Sequence, residues 1–345
     1  MLYNALRRRA NLKLLQKNAR KVSILAPTSY HDAESEINPN AVQLDEVQHI
    51  VTDGPSKTFT LSDFGYSASA LNAPDFAATE PFRLLTPSCI TALKSEIAHH
   101  RDTSTYSCPP FAPCVVRGLA HKSAFINDLW SSSAMREVVS KAVGAELEPH
   151  PMLFERGHVN VQNNQPKLEA DDEDQEPVFG WHTDSQPYVC IVMLSDPPPS
   201  ALGGETYVKK ASGEVVKLTF PGAGYAYVLQ GSVIEHAAMP ARNYKRETMI
   251  TSFVPSDVKY KDNTNIDLSV KYSPLNETFR EFLVHRRDYV GRRLNMLSSE
   301  GLDANLETVE RIEKAIDDIV EDLANTKRSM EAVRTAINGG GERGE

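Results

Sequence analysis

Trp181-His182-Thr183-Asp184, with His236 some fifty residues further on, sets two imidazoles and a carboxylate in an H-x-D…H arrangement. Imidazole nitrogen and carboxylate oxygen in this ratio are the donors of a mononuclear non-heme Fe(II) site. Three such ligands occupy one face of the ion and leave further positions for a co-substrate and O2. Arg246 lies ten residues beyond His236, and Thr248 completes an R-x-T. A guanidinium holds a carboxylate through two parallel hydrogen bonds, and a hydroxyl beside it adds another. An arginine turned into a protein interior is costly unless an anion meets it. A 2-oxoacid that chelates the iron, with its far carboxylate on Arg246, would supply that anion. Arg242 competes for this role, but Pro240-Ala241-Arg242-Asn243 reads as a turn, so it ranks second.

These side chains need strands to aim them. Residues two apart on a strand share a face. His182 and Asp184 would then face one interior, as would Arg246, Thr248, Ile250 and Ser252. His236 must arrive from another strand, and the interval before it holds several strands and a return. The same parity puts His158, Asn160 and Gln162 on one side of a preceding strand, and Tyr188 on the side of His182 and Asp184. His158 and Gln162 are candidate substrate contacts, and Tyr188 is a candidate partner for the 2-oxoacid carboxylate. For each, a purely structural role stays open beside the functional one. Trp181 and Tyr227 read as packing residues, and Gly203 and Gly204 as a tight turn.

Around this centre the chain predicts helices, then strands, then helices. Residues 1–30, 86–101 and 123–143 carry helical spacing, and Thr58–Phe64 alternates as a strand would. Strands are expected over Met152–Gln162, Tyr188–Leu194, Thr206–Val208, Val215–Thr219, Gly224–Leu229 and Arg246–Val254. Tyr188–Leu194 is apolar or aromatic throughout, as in a strand covered on both faces. Short strands with Gly and Pro between them suggest a sandwich or barrel. Behind them lie helices over 275–298 and 302–337. In the second, Leu302, Val309, Ile316, Leu323, Met330 and Ile337 recur every seven residues, and Ile312, Ile319, Thr326 and Val333 form a second seam. This pattern needs an apolar partner. The preceding helix offers Phe279, Phe282, Leu283, Val290 and Leu297 for a hairpin, and a second subunit is the alternative, giving a homodimer through the C-terminal helices.

The 345 residues suffice for one large core with appendages, and the net charge of −9 argues against nucleic acid and anionic membrane partners. No apolar run approaches the ~20 residues of a bilayer span, and no signal-peptide core precedes the basic stretch of residues 1–31, so a cytoplasmic location is expected. That stretch holds seven Lys/Arg and no acid. It reads as a solvated basic helix, with a transit peptide as the alternative. Residues 169–176 carry six acids and read as a solvated insertion, with a lid beside the site as the alternative. None of the four cysteines forms a C-x-x-C pair. Cys190 reads as buried, while Cys108 and Cys114 are close enough to pair but would stay reduced in a cytosolic chain. Zinc could use the same three ligands, yet no H-E-x-x-H occurs, nor a P-loop, nor G-x-S-x-G.

His182-x-Asp184, the apolar strand Tyr188–Leu194, Gly203-Gly204-Glu205-Thr206, His236 and Arg246-x-Thr248 together resemble the Fe(II)/2-oxoglutarate-dependent dioxygenase superfamily. G-G-E-T after the H-x-D is similar to its prolyl-4-hydroxylase-like branch, and W-H-T-D-S-Q-P-Y with L-Q-G…E-H resembles a group of fungal dioxygenases, some of specialised metabolism. These motifs cover residues 152–255. The resemblance implies an α+β chain with a double-stranded β-helix, or jelly-roll, core over 110–260. An N-terminal helical and irregular region over 1–109 would pack on it, and a C-terminal helical hairpin over 261–345 would follow. It implies Fe(II), 2-oxoglutarate and O2 as requirements, with ascorbate as a reductant. His182, Asp184 and His236 would be the metal ligands, with no catalytic side chain beyond them. Arg246 and Thr248 would bind 2-oxoglutarate, and the strand bearing Asn160 would help hold it. The expected reaction oxidises an unactivated C–H bond of a small, amino-acid-derived metabolite by hydroxylation, desaturation or cyclisation. The prolyl hydroxylase branch uses Lys where this chain has Arg246, which favours small-molecule chemistry. The rival readings are a protein or peptide hydroxylase, and a non-catalytic scaffold that pairs through its C-terminal heptads.

Overall fold

The computed structural model describes residues 38–107, 114–163, 177–178, 180–297 and 305–340. The expected basic N-terminal helix, Cys108, the acidic stretch 169–176 and Leu302 lie outside them. Nine strands carry the site: β1 (Cys114–Val116), β2 (Leu147–Pro149), β3 (His158–Gln162), β4 (Tyr188–Met193), β5 (Thr206–Lys209), β6 (Val215–Leu218), β7 (Tyr225–Leu229), β8 (His236–Ala238) and β9 (Arg246–Pro255). In the large sheet the central order is β7-β4-β9-β3-β1, antiparallel throughout, with β2 pairing the far end of β9. A smaller antiparallel sheet runs β6-β5-β8.

β4 shows why this sheet is covered on both faces. Its six residues are all buried. Tyr188, Cys190 and Val192 join Trp130, Leu129 and Phe253 in one core, while Val189, Ile191 and Met193 join Val208, Leu218 and Tyr227 in another. The second core lies between the two sheets. The first lies between the large sheet and three helices, α1 (Pro87–Ser104), α2 (Ala124–Ser131) and α3 (Ser133–Val143). The single helix expected over 123–143 is two. Ser132 is extended, with φ −63° and ψ 154°, and its Oγ accepts from Met135 N as the cap of α3. Such a cap contributes roughly 1 kcal/mol, and the break turns both Trp130 and Met135 inward.

Two expected strands are shorter. Thr58–Phe64 is a strand only over Thr58–Phe59 and then a 3-10 turn over Ser62–Phe64. Met152–Gln162 begins with a 3-10 turn over Leu153–Glu155, and the chain straightens only after Gly157, whose φ of +65° and contact with Ile126 and Trp130 exclude a side chain. Cys89 and Cys190 are buried free thiols. Cys114 is disulfide-bonded, against the expectation of a reduced thiol.

Beyond the sheets come α4 (Ser269–Tyr272), α5 (Leu275–Asn295) and α6 (Leu306–Gly340). Phe282 of α5 and Val333 of α6 pack with Ile266, Val270 and Met152, while Tyr289, Val290 and Ile319 form a second cluster. Between the two helices runs a buried polar network. Arg286 donates to Asp262 O, to Thr326 Oγ1 and to Asp322 O. The Asp262 carboxylate meets His285 Nε2 at 2.7 Å, and Arg293 meets Asp322 at 2.8 Å. Of the two heptad seams, Ile312, Ile319, Thr326 and Val333 turn inward, whereas Val309, Ile316, Leu323 and Ile337 remain exposed.

Candidate active site

His182 and Asp184 do not sit on a continuous strand. His182 makes a single antiparallel bridge to His236, through His182 N to His236 O at 3.0 Å and His236 N to His182 O at 2.9 Å. This reciprocal pair sets the two imidazoles side by side, with ring centroids 4.4 Å apart. Asp184 is placed separately, by its own N–H donating to Gly231 O at 2.8 Å. A Cβ on Gly231 would lie 2.0 Å from Asp184 Oδ2. The carboxylate therefore occupies the space a side chain at 231 would fill.

The Nδ1 of His182 donates to Gly180 O at 3.0 Å, and that of His236 to Ile234 O at 2.9 Å. With the Nδ1 protons committed to carbonyls, both Nε2 lone pairs are turned to Asp184, at 3.8 Å and 3.5 Å from its oxygens. The three donor atoms lie within 4.8 Å of one another. Burial, reinforced by His236, lowers the His182 pKa and favours the neutral imidazole that a metal requires. Two imidazoles and a carboxylate around one point fit a divalent iron.

Arg246 opens β9 and is 3 % exposed. Its Nε donates to Gly204 O at 2.8 Å, and among the described residues no carboxylate lies within ion-pair distance of it. Burial lowers its pKa. A guanidinium so enclosed, with its fork facing a cavity, fits the distal carboxylate of 2-oxoglutarate. The Gly-Gly turn serves this placement. Both residues have positive φ, and a Cβ on Gly204 would strike the Tyr244 hydroxyl at 2.2 Å.

One cavity is lined by His182, Asp184 and His236, and also by Arg246, Thr248 and Asn160. β9 pairs with β3 so that Arg246 faces Gln162, Thr248 faces Asn160 and Ile250 faces His158, which brings these residues onto one wall. Gln162 Oε1 accepts from Ala241 N at 3.1 Å, so its amide oxygen tethers the chain beside Arg246. Arg242 pairs with Leu202 in a two-residue strand and does not line the cavity.

Tyr188 departs from the sequence reading. It packs in the helix-side core, 1 % exposed, and is not part of the cavity wall. Parity failed because residues 185–187, ending in Pro187, are bends rather than strand. Tyr227, read as packing, does face the cavity. It stands opposite Ile191 across the β7–β4 ladder, and its hydroxyl donates to Thr206 Oγ1 at 2.7 Å. Burial pushes its pKa up to about 12, so it stays a neutral phenol beside Arg246.

The far end of the cavity adds Arg117, Glu155 and Ser269, which no motif signalled, to Gln186 of the W-H-T-D-S-Q-P-Y stretch and to His158. Arg117 pairs with Glu155, and Ser269 Oγ of α4 donates to the same Glu155 oxygen at 2.6 Å. Among the described residues, Arg117 Nε, Gln186 Nε2 and His158 Nδ1 are each buried without a hydrogen-bond partner. Leu268 and Tyr272 close this end from the C-terminal extension.

No family model matches the sequence, and no curated protein matches it. Solved structures resemble the chain in fold. A prolyl-4-hydroxylase from Pseudomonas putida is 12 % identical, with 52 % of this chain and 92 % of that chain covered and a TM-score of 0.36. SnoK, a non-heme alpha-ketoglutarate-dependent carbocyclase of nogalamycin biosynthesis, is 14 % identical over 59 % of this chain and 88 % of that one, with a TM-score of 0.38. HygX from Streptomyces hygroscopicus, solved with nickel and 2-oxoglutarate bound, is 12 % identical over 52 % and 83 %, with a TM-score of 0.36. Non-heme 2-oxoglutarate oxygenases recur among these neighbours.

Proposed function

We propose that this chain is a 2-oxoglutarate-dependent non-heme iron oxygenase that oxidises a C–H bond of a small, uncharged metabolite. The observation that carries the reading is a buried arginine without an acid partner, Arg246, on the wall of the cavity that gathers His182, Asp184 and His236. His182, Asp184 and His236 would hold the iron. Arg246 and Thr248 would take the distal carboxylate of 2-oxoglutarate, with Asn160 beside them. Iron, 2-oxoglutarate and O2, when bound, supply the oxidising power and yield succinate and CO2.

The chain's own residues do the rest. Gly180 and Ile234 carbonyls fix the tautomers of the two imidazoles. Val189, Ile191 and Ile250 keep the middle of the cavity apolar and exclude water from it. The far end sets the substrate class. Arg117 is neutralised by Glu155, and burial together with Arg117 holds the His158 pKa well below its usual range, so this end carries no net charge. Yet Arg117 Nε and Gln186 Nε2 are N–H donors without acceptors. A buried unpaired donor costs roughly 1–3 kcal/mol. An amide or carbonyl oxygen relieves that cost without bringing in a charge, and an amino-acid-derived amide has this chemistry.

The test is succinate release by Fe(II)-loaded protein in air. Wild type should convert 2-oxoglutarate, and His182→Ala should neither retain iron nor release succinate. Arg246→Gln should keep iron but raise the KM for 2-oxoglutarate by about 30-fold or more, the equivalent of losing one partner of a buried charge pair. Retention of normal KM by that variant would refute the anchor. Amides should stimulate succinate release above the matching carboxylic acids. The reverse order would refute the substrate class while leaving the oxygenase reading intact.

A further inference from the structure

The outer seam of α6 is an exposed apolar stripe that the site does not use. Val309, Ile316, Leu323 and Ile337, seven or fourteen residues apart, are each 45–60 % exposed, and Val320 beside them is 58 % exposed. The inner seam is already satisfied by α5 and the core, through Ile319 and Val333. So α6 has two apolar faces, and among the described residues only one of them is covered.

The charges on α6 identify the occupant. Asp318, Glu321 and Asp322 are held within the chain by Arg293 and Lys261; apart from them its first half holds Glu307, Glu310, Glu313 and Asp317 against Arg311 and Lys314, and the half after Leu323 holds Lys327, Arg328 and Arg334 against Glu331. A second α6 running parallel would set acid against acid and base against base. Running antiparallel, it sets the acidic half of each against the basic half of the other. The apolar spacing agrees. About a two-fold axis at Leu323, Val309 meets Ile337 and Leu323 meets itself, Ile316 falls beside Met330, which is itself half-buried against the core, and Glu313 falls beside Arg334. A two-fold contact requires that one surface be complementary to itself under such a rotation, and this helix is. Its 35 residues give an interface about 50 Å long.

We infer that the chain forms a homodimer through antiparallel pairing of the exposed faces of α6, centred on Leu323, making a four-helix bundle with the two α5 helices. The inference is independent of the proposed activity, since no residue of the outer seam lines the cavity.

Sedimentation equilibrium of the full-length protein at 1–100 µM tests it. Wild type should be dimeric at the upper end, dissociating as salt is raised. Leu323→Glu, which places two like charges on the axis, should weaken association at least 100-fold while leaving succinate release per chain unchanged. Geometry is read by cysteine crosslinking. Leu323→Cys should form a covalent dimer readily under mild oxidation, and a mixture of Val309→Cys and Ile337→Cys chains should crosslink to each other but not to themselves. A monomer at 100 µM, a dimer indifferent to Leu323→Glu, or self-crosslinking of Val309→Cys, which marks a parallel pair, would each overturn it.

Discussion

At the residue scale the site depends on a glycine as much as on its ligands. Asp184 projects into the space above Gly231, where a methyl group would lie 2.0 Å from the carboxylate oxygen. Gly231→Ala should therefore fold, because the backbone there needs no left-handed φ, yet push Asp184 out of line with the two imidazoles. A loss of 10- to 100-fold in metal affinity is expected, the range seen when the residues that orient metal ligands are altered. Calorimetric titration with Co(II) would measure it, and unchanged affinity would show that Asp184 is not held where it is needed. The same reasoning explains Gly204, whose carbonyl holds Arg246 Nε and whose missing side chain admits Tyr244.

At the scale of elements, the C-terminal helices are part of the site's wall. α4 presents Ser269 to Glu155 and lends Leu268 and Tyr272 to the cavity, while its Val270 is buried against Phe282 of α5 and Val333 of α6. The polar counterpart of that packing is Arg286, which joins the Asp262 backbone to Asp322 across the two helices. Asp322 Oδ1 is already without a hydrogen bond. Removing the guanidinium leaves two buried carboxylates with one cation fewer, a change that costs about 3–5 kcal/mol. Arg286→Ala should lower the urea midpoint accordingly and weaken substrate-stimulated turnover more than iron binding. Arg287→Ala, at an exposed ion pair one residue on, should be nearly silent by comparison.

At the scale of the whole molecule, buried histidines link stability to pH. His150 is fully buried between Thr264 and Met152, and burial holds its pKa well below 6.5. The unfolded chain therefore binds a proton more readily than the folded one. Its contribution is complete above about pH 6.5 and is lost as pH falls below that value, at about 1.4 kcal/mol per pH unit. His158 acts in the same direction. Asp262 has a depressed pKa because His285 and Arg286 offset its burial, so its contribution is present above the usual carboxylate range and fades only in stronger acid. Unfolding free energy measured between pH 7.5 and 5 should be level at first and then fall. His150→Gln should flatten the fall, whatever it does to stability at pH 7.5. A profile with no fall below pH 6.5 would contradict the burial of neutral imidazole.

Local chemistry was legible in the sequence. His182, Asp184, His236, Arg246 and Thr248 stand out by type and spacing alone, and structure brings them to one cavity. β4 and β9 were equally legible, because β4 is apolar or aromatic throughout and β9 is rich in β-branched and apolar residues. What the sequence could not give were relations between distant segments. Parity does not survive the bend at residues 185–187 that turns Tyr188 away from the cavity, and the role of Gly231, the glycine of L-Q-G, is set by Asp184, its neighbour in space but not in the chain. The far end of the cavity draws on Arg117, Glu155 and Ser269, each ordinary by itself. The heptads promised two apolar seams on α6, and only the packing of α5 decided which one stayed open. Residue type and short-range periodicity record what a segment can bury or bind. Which segments meet is set by the pairing of sheets and the docking of helices, and those are properties of the folded chain as a whole.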